Sequence, residues 1–181
     1  MYTRLLSLVL TLGLVVGCGG AGGVMSYNAD DDVTRYETGR MTVVQGASGG
    51  NFASQSSIAM RVMSECSGRE CVPEEAQMVF TLQGSSDIAI SSRRLTIVTD
   101  ERTFEWGEEA SWNRRNDIGE SQGRLMGVTL PLSDLATIAQ SSTIDGSFGD
   151  KPLNLGGVQS QLRDFLQTAQ NPGASASTES S

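Results

Sequence analysis

The chain has 181 residues, with 13 Lys and Arg against 21 Asp and Glu, a formal net charge of -8 at pH 7 and no histidine. That acidic balance repels phosphates, and no basic stripe offsets it, so nucleic acid is excluded as a partner. The missing histidine removes the commonest general base and the commonest metal ligand, so no Ser-His-Asp triad can exist and no metal or other cofactor is expected.

The chain opens with Met1-Tyr-Thr-Arg4, a short segment carrying one positive charge, followed by the mostly apolar run Leu5 to Val16. A membrane-spanning helix needs roughly 20 apolar residues, so the run is too short to span but has the length of a signal-peptide core. Small Gly17 then precedes Cys18. Val15-Val16-Gly17-Cys18 resembles the lipobox of bacterial lipoprotein leaders, a resemblance that covers the leader alone. It implies cleavage after Gly17, a diacylglyceryl group on the Cys18 thiol, and usually a further acyl chain on the new amine. One acyl chain binds a bilayer marginally, whereas two or more hold a protein there stably. The implied location is the bacterial cell envelope, outside the cytoplasm and anchored to the membrane by lipid. Gly19 is not the Asp associated with inner-membrane retention, which favours the outer membrane where the host has one.

Residues 1–17 are thus expected to be a signal peptide, and 18–32 a lipidated cysteine with a flexible tether. "GGAGGVMSYNADDD" has the glycine content of a random coil and an acidic end. As a calcium loop its acidic end fails, because it lacks the turn glycine and the closing glutamate.

Residues 33–170 are expected to form a single domain of about 140 residues, long enough to bury a core. Strands are expected in "VTRYET" and "MTVVQ", then in "IAMRVMSE" (58–65), where Ile58, Met60 and Val62 alternate onto one face. "QMVFTLQG" (77–84), "DIAIS", "LTIVTD", "RTFEWG" and "GRLMGVTLPL" (123–132) come next with short polar breaks, a spacing that points to antiparallel sheet. Met60, Met63, Met78 and Met126 read as core filling rather than metal ligands. Further on, "SDLATIAQS" offers Ser133 as an N-cap and places Leu135, Ile138 and Ala139 on one helical face. "TIDGSFGDKPLNL" reads as a hairpin, and "GGVQSQLRDFLQTAQ" as an amphipathic helix burying Val158, Leu162, Phe165 and Leu166. Asn171-Pro172-Gly173 stops it, and 171–181 is a polar tail of disordered composition. The fold class expected is α+β: an antiparallel β-sheet with two short C-terminal helices packed on one face. In pattern, Leu125 to Leu166 resembles the ends of many small bacterial exported proteins, a likeness that implies no activity.

Cys66 and Cys71 enclose "SGRE" between two expected strands. In an exported protein a disulfide is the default, and Gly68 permits the tight turn. Redox or metal-binding roles fit less well, because the spacing is not C-x-x-C and no third ligand is evident.

Three candidates for chemistry remain. Gly46-Ala47-Ser48-Gly49-Gly50 matches G-x-S-x-G and resembles the nucleophile elbow of α/β-hydrolases. The residues after Ser48 read as loop then strand rather than helix, and the sole lysine, Lys151, falls in the expected hairpin, so a flexible loop is the better account. The acids Glu101, Glu105, Glu108 and Glu109 surround Trp106 and Trp112. Carboxylates beside aromatics suit glycan-acting enzymes, and the same group suits carbohydrate or peptide binding. Trp106, Trp112, Glu105 and Glu108 are therefore the candidate ligand-binding residues, with no catalytic residue assigned. The function expected is that of a lipid-anchored envelope protein, non-enzymatic, meeting an envelope protein or a small ligand. The alternative is a small hydrolase or glycan-acting enzyme using carboxylates in the 101–109 region.

Overall fold

A computed structural model describes residues 23–45, 57–83, 92, 94–107 and 125–172. Among them the chain is mostly antiparallel strand with two short helices, a roughly α+β arrangement. The strands are β1 (Val24–Asn28), β2 (Val33–Glu37), β3 (Met41–Gln45), β4 (Ser57–Ser67), β5 (Glu75–Gln83), β6 (Leu95–Thr99), β7 (Thr103–Trp106), β8 (Leu125–Pro131), β9 (Ile144–Phe148) and β10 (Lys151–Leu153). The helices are α1 (Leu132–Gln140) and α2 (Gln159–Gln170), the latter entered through one 3-10 turn at Gly156–Val158.

The strands divide between two sheets. The larger runs β1-β2-β4-β5-β8, with β3 also paired to β4, and the smaller runs β10-β9-β6-β7. β2 takes the C-terminal half of the long strand β4 and β3 takes its N-terminal half. At the break between them Thr38 keeps the ladder joined. Its N–H donates to the Val62 carbonyl at 2.9 Å, and the Val62 N–H donates to the Thr38 hydroxyl at 3.0 Å.

Period-two alternation gives the large sheet one dry face and one wet face. Tyr36, Met60, Val62, Met78, Val128 and Leu130 are buried on the first. Arg35 and Glu65, paired across β2 and β4 at 2.6 Å, stand on the second. On the small sheet Leu95, Ile97, Phe104 and Phe148 are buried in the same core. Phe80 of β5 stacks on Phe148 of β9 with ring centroids 5.9 Å apart, which joins the two sheets through the core. The Asn154 N–H, just after β10, donates to the Val43 carbonyl of β3 at 2.7 Å.

α1 contacts β8, β5 and β6, while α2 contacts β1, β2 and α1. Each places its apolar stripe inward: Leu135, Ile138 and Ala139 from α1, and Leu162, Phe165, Leu166 and Ala169 from α2. Burying a side chain such as Phe165 is worth about 1.5–3 kcal/mol. The last carbonyls of α1 are taken up by α2. Arg163 Nε donates to the Ala139 carbonyl at 2.7 Å, and Gln159 Nε2 donates to the Ser141 carbonyl at 2.9 Å. A cation at the negative end of a helix dipole is favourable as well as hydrogen-bonded.

Three expectations need correcting. The strands form two sheets rather than the one expected, because which strands meet is set by long-range pairing. The stretch 18–32 is not tether throughout, because β1 runs antiparallel to β2 from Val24↔Glu37 to Asn28↔Val33. Met25 and Tyr27 are half-buried while Val24, Ser26 and Asn28 are exposed, an alternation masked in the sequence by glycines before it and acids after it. Ser133 is not the N-cap of α1. Pro131 holds that position with φ -55° and ψ 144°, and no side chain caps the helix. The Leu132 N–H donates to the Glu74 carbonyl at 2.8 Å, so the chain passes straight from the sheet ladder into the helix.

Candidate functional site

Among the described residues β7 is an edge strand of the small sheet, paired to β6 as Leu95↔Trp106, Thr96↔Glu105, Ile97↔Phe104 and Val98↔Thr103. Side chains alternate across a strand, so Phe104 and Trp106 share one face and Thr103 and Glu105 the other. Phe104 is buried and Trp106 half-buried, with ring centroids 5.8 Å apart and planes only 4° from parallel. The Arg102 guanidinium carbon sits 4.3 Å from the Phe104 centroid. Arg102, Phe104 and Trp106 thus form a row of cation, buried ring and half-exposed ring. Such contacts are worth about 0.5–1.5 kcal/mol between rings and about 0.5–1 kcal/mol for an exposed cation over a ring.

α1 and the β6–β7 turn hold this row in place. Arg102 forms an ion pair with Asp134 in the first turn of α1. At the other end of the helix the Ser141 hydroxyl donates to the Asp100 carboxylate, and the Ser142 hydroxyl does so at 2.5 Å. The Ser142 N–H adds a longer bond of 3.3 Å. The Ser141 and Ser142 hydroxyls hold the Asp100 carboxyl well below its usual 3.8, at about 2. Within the turn, Thr99 Oγ1 donates to the Arg102 carbonyl at 2.8 Å and accepts from the Arg102 N–H at 3.0 Å. The turn is therefore fastened at both ends of one helix.

The register separates the sequence candidates. Glu105 is exposed on the face opposite Trp106, so these two do not converge on one ligand. Glu101 lies exposed in the turn itself. Glu108 and Trp112 lie outside the described residues, as do Cys18 and Ser48. Lys151 pairs with Asp150 at 2.7 Å in the β9–β10 hairpin. Among the described residues, no group of three or more Cys, Asp or Glu side chains could hold a metal ion. No helix among them is long and apolar enough to cross a membrane. Reading along the sequence misses Arg102, Asp100 and Ser141 as partners, because the contacts arise only when α1 folds against the β6–β7 turn. The "TDER" turn was the only local signal.

The Cys66 and Cys71 sulfurs lie 2.07 Å apart, with Cα atoms at 5.9 Å. Gly68 turns the loop in the left-handed region at φ 95°. The loop is also held from outside. The Thr34 hydroxyl donates to the Gly68 carbonyl at 2.5 Å, and the buried Tyr36 hydroxyl donates to the Cys71 carbonyl at 2.8 Å. Arg69 reaches over the Tyr27 ring at 5.0 Å, which joins the loop to β1. These contacts all tie the loop to the sheet, so the geometry is that of a brace.

The chain matches no family model, no curated protein and no solved structure.

Proposed function

We propose that this protein is held in the bacterial cell envelope by lipid on Cys18, and that its folded domain acts by contact rather than by catalysis. The anchor rests on Val15-Val16-Gly17-Cys18 behind a short apolar leader. Gly19 after the cysteine favours the outer membrane in a host that has one. The two helices pack on the dry face of the large sheet, a reading supported by their contacts with β8, β5, β1 and β2. Among the described residues, no strand pairs with the outer edge of β7.

One observation carries the non-enzymatic reading: alternation along β7 puts Glu105 and Trp106 on opposite faces. A glycan-acting site needs carboxylates flanking a sugar held on an aromatic platform. Here Phe104 faces the core and Arg102 is already paired with Asp134, which leaves the half-exposed Trp106 ring to meet an apolar or aromatic group. The partner is an envelope protein or a small ligand.

The test uses the mature protein carrying Trp112→Phe, so that Trp106 is its remaining indole. Titration with soluble cell-wall fragments and with peptides should quench or shift its emission. The response should be lost in an Arg102→Ala variant that keeps its circular dichroism. Turnover of any of these compounds by the folded protein would overturn the reading.

A further inference from the structure

Gly23, just before β1, is packed against α2. A Cβ on Gly23 would come within 3.0 Å of the Phe165 Cα and 3.3 Å of the Thr168 hydroxyl on α2. The glycine is fixed there by close approach of backbone to helix, and β1 starts at the next residue. Only Gly19, Gly20, Ala21 and Gly22 separate this contact from Cys18. An extended chain advances at most about 3.6 Å per residue, so whatever its conformation Cys18 lies within about 18 Å of Gly23. A domain of this length is about 35 Å across. Lipid on Cys18 therefore keeps Gly23, and the β1 and α2 residues beside it, within about half a domain width of the bilayer.

We propose that the side built from the β1 edge and the C-terminal half of α2 lies directly against the bilayer surface. This rests on the lipid anchor proposed above. Charge is arranged to suit it. The exposed side chains of β1 are Val24, Ser26 and Asn28 on the wet face, and those of α2 beyond Asp164 are Gln167 and Gln170 on the other side of the edge, all uncharged. The charges across the ladder from β1, Glu37 and Arg35, are each paired, with Arg61 and with Glu65. Arg163 and Asp164 balance each other. The acids Asp30, Asp31 and Asp32 stand in the turn at the other end of β1, about 13 Å along the strand from Val24. Among the described residues, a chain of net charge -8 thus presents an edge with its charges balanced where the anchor draws it closest to anionic headgroups. β8, at the opposite edge of the large sheet, is four strand spacings from β1, or about 19 Å farther out.

The experiment uses the full-length lipidated protein in vesicles of phosphatidylethanolamine and phosphatidylglycerol. A fluorophore is placed on Gln167→Cys or on Thr129→Cys, both exposed positions, and nitroxide is carried on the lipid headgroups. The probe at 167 should be quenched several-fold more than the probe at 129. Equal quenching of protein that co-floats with the vesicles overturns the orientation and leaves the anchor standing. Failure to co-float overturns both. A flexible insert of about 20 residues after Gly20 should abolish the difference between probes. A difference that survives the insert overturns the argument from tether length.

Discussion

The Asp100 carboxylate and the Ser141 hydroxyl, on a β-turn and at the end of a helix, meet in a hydrogen bond that joins the small sheet to α1. Two residues along the same turn, Arg102 pairs with Asp134 at the start of that helix. The β6–β7 turn therefore sets the position of α1, and α1 sets the position of the Arg102, Phe104 and Trp106 row.

Asp100 is held at about 2, below its ordinary 3.8, by hydrogen bonds to its ionised form. A group whose pKa falls on folding contributes stability above its unfolded pKa, and that contribution fades as pH drops through the folded value. Asp100→Asn should therefore lower the melting temperature at neutral pH. The gap from wild type should close between pH 3.8 and about 2. Thermal melts across that range check it, and a gap independent of pH would count against the network.

Gly146 on β9 is fixed by packing rather than by backbone conformation. A Cβ there would come within 2.5 Å of Leu155 Cδ1 and 3.4 Å of Leu153 Cβ, and Leu155 is buried in the core. Gly146→Ala should cost about 1–3 kcal/mol through overpacking, read from urea unfolding at equilibrium. Gly156→Ala is the control, since nothing stands within 4 Å of its Cβ position.

The brace formed by Cys66 and Cys71 closes a very short loop. Loop entropy alone assigns it about 2 kcal/mol, and the double variant Cys66→Ser, Cys71→Ser should lose about that much in urea. Thiol counting provides a second reading. Native protein should show no free thiol, and reduction should release two rather than three, because the Cys18 sulfur is expected to carry lipid.

Much of the strand order was legible because alternation is a local signal. Ile58, Met60 and Val62 read as one buried face, and the structure buries all three. Val158, Leu162, Phe165 and Leu166 read as one helical stripe and are buried as one. The hairpin at "TIDGSFGDKPLNL" was legible through its glycines, and Gly149 indeed turns it at φ 60°. β1 was not legible. Its five residues come after glycines and precede three acids, and pairing with β2 rather than propensity makes it a strand. The division into two sheets was also hidden, since it depends on which strands meet and not on what each contains. At the candidate site, alternation along "RTFEWG" already sets Phe104 and Trp106 on the face opposite Glu105, whereas which of the two faces meets the core depends on how the small sheet packs. The Asp100 to Ser141 bond spans 41 positions and leaves no periodic trace.

The central claim is that Cys18 carries lipid and thereby fixes where this domain works. Metabolic labelling of bacteria making the full chain with an alkyne fatty acid tests it most directly. The wild-type band should take up label, and Cys18→Ser, made at comparable level, should take up none. Label that persists in Cys18→Ser, or a wild-type band that stays unlabelled, would contradict the account.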